Sequence, residues 1–109
     1  MLVAVMMLAL AAPNPVTLNA PRKAYQSCLK AFETTSAAAK MDTTAFGTAV
    51  KTACTAEAAS LIKALTDYDV ATGSKRSSAA EAATSDVADY MLTSEDRFRA
   101  RTVPAAKTN

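Results

Sequence analysis

The sequence predicts an all-α fold: a small antiparallel three-helix bundle, in which a helical hairpin is stapled by one disulfide and a third helix completes the core. Three observations lead there. The 109 residues include 26 alanines but only two glycines and four prolines, too few turn formers for an all-β chain. Large apolar residues recur at helical spacing in three separate stretches. The two cysteines, Cys28 and Cys54, lie 26 positions apart without a CxxC spacing. A chain of this length makes one small domain.

Met1 to Ala12 reads MLVAVMMLALAA, an uncharged apolar run closed by Pro13 and Pro15. It is shorter than the roughly 20 helical residues that a membrane span needs, so no stable transmembrane span is expected. It matches the apolar core of a secretory signal peptide. Ala9 and Ala11 supply small residues at −3 and −1, which places cleavage between Ala11 and Ala12, with residues 1–11 as the signal. No Lys or Arg precedes Arg22, so either the α-amino group alone supplies the basic end or the true start lies upstream. The competing readings are a buried first helix of the domain, or an uncleaved apolar segment that holds the protein at a membrane.

Residues 12–19 read as an extended lead-in, and residues 20–101 as the helical domain. Asn19 is the expected cap of a first helix with Pro21 in its first turn, where a missing N–H costs nothing. Tyr25, Cys28, Leu29 and Phe32 then share one face, and good helix formers continue to about Lys40. Asp42 is the next capping residue. Phe46, Val50, Cys54, Leu61, Leu65 and Tyr68 line a second helix of about 30 residues, ending at Gly73 as a left-handed cap. Gly47 and the stretch Thr52–Thr55 are weaker helix formers where that helix can kink or split. Ser78-Ala79-Ala80-Glu81 has the spacing of a capping box for a third helix, whose apolar face carries Val87, Tyr90, Met91 and Phe98. Arg97, Arg99 and Arg101 gather at its end, opposite the negative pole of the helix dipole. Residues 102–109, with Pro104 and small polar side chains, read as a flexible tail.

The cysteines agree with this layout. If the first two helices fold back on each other, Cys28 with Cys54, Phe32 with Val50 and Ser36 with Phe46 are all centred on Met41, where the turn is expected. In an oxidising compartment such a pair forms a disulfide. The alternatives are two buried free thiols, or a reactive thiol that would need a neighbouring cation such as Lys30 or Lys51. Only 19 large apolar residues follow Ala12, so a staple matters to a core this thin.

Composition also narrows function. The chain has no histidine, which removes His-based acid–base catalysis, Ser-His-Asp and Cys-His nucleophiles, and histidine-ligated zinc. Once the signal is removed only Met41 and Met91 remain of five methionines, which weakens any role in metal handling. No cofactor or metal site is expected. The net charge of +2 is uneven: +3 over residues 22–63, −5 over 67–96 and +4 over 97–107. Antiparallel packing of the basic and acidic helices would bring these opposite charges together. No basic stripe interleaved with aromatics appears, so nucleic acid is not an expected partner.

Two carboxylate pairs, Asp86 with Asp89 beside Tyr90 and Asp67 with Asp69 around Tyr68, are the candidates for acid–base chemistry or for holding a hard cation. A solvated helix face is the simpler reading of both pairs and is preferred. The loop Gly73–Ser78 could cradle an anion at the start of the third helix, or serve as an ordinary turn. The reading that follows is a small exported protein, periplasmic or secreted. It is expected to be a non-catalytic binding module of the bacterial envelope whose partner is another envelope protein or a small ligand. The alternative is a small carboxylate-dependent enzyme.

Overall fold

The computed structural model describes residues 13–102. The expected signal peptide, its cleavage point between Ala11 and Ala12, and all of the tail beyond Thr102 lie outside the described residues. Four α-helices and no strand occur among those described: α1 Asn19–Ala38, α2 Thr43–Ala53, α3 Thr55–Ala71 and α4 Arg76–Thr102. They make a small bundle of three legs, because α2 and α3 together form the second leg.

The lead-in is not extended. Pro15–Leu18 is a 3-10 turn that runs straight into α1, and its cap is Asn14, whose side chain accepts from the Val16 N–H. Asn19 is therefore the first residue of a helix already started, not its cap. Pro15, at the first helical position, has no N–H to leave unsatisfied.

α1 stops at Ala38, two residues before the expected end. The Met41 N–H bonds to the Ser36 carbonyl and the Lys40 N–H to the Ala37 carbonyl, the two bonds of a Schellman motif. Lys40 takes the left-handed position, at φ 57°. α3 ends in the same way, with Ser74 N–H on Asp69 and Gly73 N–H on Val70. There Gly73, at φ 111°, occupies the left-handed position as expected. The difference makes a test. Lys40→Gly is expected to raise stability by about 0.5–1 kcal/mol, because a side chain disfavours this conformation and glycine does not. An unchanged or lower urea midpoint would contradict the assignment.

The second helix is split at Cys54, which lies at φ −123° and ψ 42°, outside helical values. Asp42 does cap α2, its side chain accepting from the Ala45 N–H at 2.7 Å. α4 begins at Arg76, ahead of the predicted box, so Ser78 and Glu81 are interior to the helix. Once Gly73 has closed the preceding cap, the chain is already placed to turn into α4.

Cys28 and Cys54 are bonded, with their α-carbons 6.1 Å apart, inside the range that disulfides require. The bond ties α1 to the break between α2 and α3. Around it the core gathers Tyr25, Leu29, Phe46, Val50, Leu61, Leu65, Val87 and Phe98 with the buried Ala58 and Ala83. Phe46 is the centre of a ring stack, parallel to Phe98 at 4.0 Å and near-parallel to Phe32 at 5.4 Å. Phe32 thus reaches Phe46, one turn past the Val50 position of the simple register. The redirection at Cys54 keeps one rigid register from running through the whole second leg.

Residue pairs fix the remaining direction. Tyr25 packs edge-on against Tyr90, Glu33 meets Ser94 and Arg97, and Thr34 meets Arg101. Numbers rise together, so α1 and α4 run parallel, as the first and third legs of an up-down-up bundle must.

Candidate functional site

The sequence candidates separate once placed. Asp86, Asp89, Tyr90 and Thr93 of α4 line an open cleft of about 340 Å³ that is closed on the other side by Arg22 of α1. Arg22 shares this cleft with the two carboxylates but makes no ion pair with them, and α1 and α4 run parallel, not antiparallel as expected of the basic and acidic helices. Asp67 and Asp69 do not form a comparable pair. Asp67 accepts from Lys63 at 2.6 Å and from Arg76 at 3.3 Å. The Lys63 ammonium and then the Arg76 guanidinium hold its carboxyl below the ordinary carboxylate range. Asp67 therefore links the end of α3 to the start of α4. Asp69 contributes its carbonyl to the cap at Gly73. In the loop Gly73–Ser78, Arg76 is turned to this ion pair. Among the described residues, no group of three or more acidic or thiol side chains could hold a metal ion.

The three arginines at the end of α4 have three different partners. Arg99 pairs with Asp96 on the surface at 3.2 Å. Arg101 donates to the Thr34 hydroxyl at 3.2 Å. Arg97 forms a two-pronged pair with Glu33, from Nη2 at 2.8 Å and Nε at 3.1 Å.

Glu33 was not among the sequence candidates, yet it is the most constrained charge in the protein. It is 2% exposed and also accepts from the Ser94 hydroxyl at 2.7 Å. Burial pushes its carboxyl up, but the hydrogen bonds from Arg97 and Ser94 outweigh burial and hold it below its ordinary value. One signal of this was present in the sequence. Glu33 follows Tyr25 and Leu29 at four-residue steps, so it is the only acid of α1 and lies on its buried face. An acid on a core stripe requires a partner.

Above this pair, Lys30, Thr34, Arg97 and Arg101 border a second open cleft of about 430 Å³, with Glu33 and Ala100 also in its lining. Lys30 and Thr34 are one turn apart on α1, and Arg97 and Arg101 are one turn apart on α4. Its fixed feature is a guanidinium held from beneath by a buried carboxylate. Comparison with protein-family models, curated proteins and solved structures gave no match to this chain.

Proposed function

We propose that this chain is a small exported protein of the bacterial envelope that acts by binding and not by catalysis. The observation that supports it most is the Cys28–Cys54 disulfide, which uses both cysteines of the chain. Such bonds persist in oxidising compartments and are rare where thiols are kept reduced. The apolar run Met1–Ala12 supports the same reading, with cleavage after Ala11. No described helix is long and apolar enough to cross a membrane, which fits either a released protein or one held by its N-terminal segment.

Reporter fusions test the location. A C-terminal fusion to an enzyme that folds only outside the cytoplasm is expected to be active, and deleting residues 1–11 is expected to abolish that activity. Activity solely from a reporter that works inside the cell would overturn export.

The second reading, a carboxylate-dependent enzyme, is favoured by one feature: Asp86, Asp89 and Tyr90 share a cleft with Arg22. Under the binding reading, Asp86→Asn and Asp89→Asn leave the fold and the capture of a partner intact. Loss of a demonstrated turnover in either variant would establish the enzyme instead.

A further inference from the structure

The cleft over Glu33 holds three cationic side chains against one buried carboxylate, for a local charge of +2. A guanidinium carries five N–H donors. Glu33 takes the Nε–H and one Nη2–H of Arg97, which leaves three. Arg101 gives one donor to Thr34 and keeps four. Lys30 makes no ion pair among the described residues, and it is part of the cleft lining. Like charges four residues apart on a helix repel each other, so Arg97 and Arg101 stand together at a cost. Arg97 cannot swing away to relieve it, because Glu33 fixes the guanidinium in place.

We propose that the cleft between Lys30 and Thr34 of α1 and Arg97 and Arg101 of α4 binds a phosphate monoester dianion. Two charges on the ligand match the two unneutralised charges of the cleft. Phosphate oxygens accept from donors arriving in several directions, and here the donors come from two helices. A planar carboxylate would occupy one fork and leave a cation unmatched. Ala100 keeps the lining small on the α4 side, leaving room for the group. This site goes beyond the binding role proposed above and does not depend on export, so either can fail alone.

Calorimetric titration of the purified full chain tests it, with inorganic phosphate and then glycerol phosphate at constant ionic strength set by chloride. Saturable one-to-one binding of both is expected. Arg101→Gln and Lys30→Gln are each expected to weaken it at least tenfold, while Arg99→Gln, outside the cleft, leaves it unchanged. Arg97 is left intact because its loss strands Glu33. Unchanged far-ultraviolet circular dichroism shows that the variants are folded. A phosphate-bearing lipid is distinguished from a soluble ester with phosphatidic acid vesicles. If the lipid is the natural source, vesicles bind more tightly than glycerol phosphate and with the same two variant losses. No saturable phosphate binding, or an equal loss in all three variants, overturns the site. So does binding to vesicles or to a single-stranded oligonucleotide when neither soluble phosphate binds.

Discussion

Reducing the Cys28–Cys54 bond is expected to lower the stability of the folded chain by about 3.5 kcal/mol. The figure follows from the 26-residue separation and the entropy that a closed loop of that size removes from the unfolded chain. Small domains have only about 5–15 kcal/mol in total, so the bond is a large share. In thermal terms the midpoint falls by about 15 °C or more. The bond also ties α1 to the one point where the second leg leaves helical geometry, at Cys54. A double Cys28→Ala, Cys54→Ala variant is expected to match the reduced protein, since it removes the link without leaving thiols. A midpoint shift of only a few degrees would show that packing alone holds the legs.

Arg97→Ala is expected to cost about 2–4 kcal/mol. Removing one partner of a buried pair typically costs about 3–5 kcal/mol, because the other charge is left unpaired. The lower range applies because the Arg97 side chain is 37% exposed and water can partly replace it. The pH dependence has a definite sign. The Glu33 carboxyl is held below its ordinary value in the folded chain, so its contribution is present above the unfolded pKa. That contribution is lost as pH falls through the folded one. In Arg97→Ala burial is opposed by Ser94 and by the charge of Arg101 alone, so the folded value moves upward and less stability is lost on acidification. Glu33→Gln removes both slopes at this position. Urea midpoints between pH 3 and 7 separate the three proteins. Parallel curves for all of them would mean that Glu33 is not held as the structure places it.

What was legible in the sequence was local or was set by paired features. Asp42 caps the next helix through its own backbone neighbours, and Gly73 ends α3 because a left-handed residue is needed there. The cysteines are an even pair centred on Met41, and they meet. What was not legible depends on distant partners. The weak helix formers Thr52–Thr55 mark a place where the second helix can kink or split, but not whether it does. Its break accompanies the bond to Cys28 and the Thr55 hydroxyl, which bonds back to the Thr52 carbonyl at 2.8 Å. Lys40 gave no sign of a left-handed cap, since glycine is the residue that announces one. The arginines at the end of α4 suited the helix dipole, and only tertiary packing brought Arg97 to Glu33, 64 positions away. The cleft they form is likewise a product of two parallel legs that no local pattern connects.

An exported chain whose two cysteines are joined where it works has a definite covalent form. The intact mass of the protein recovered from outside the cytoplasm, without added reductant, tests both halves at once. The expected species begins at Ala12 and is lighter by two hydrogens than its reduced form. A chain beginning at Met1 with both thiols free, found only inside the cell, would contradict it.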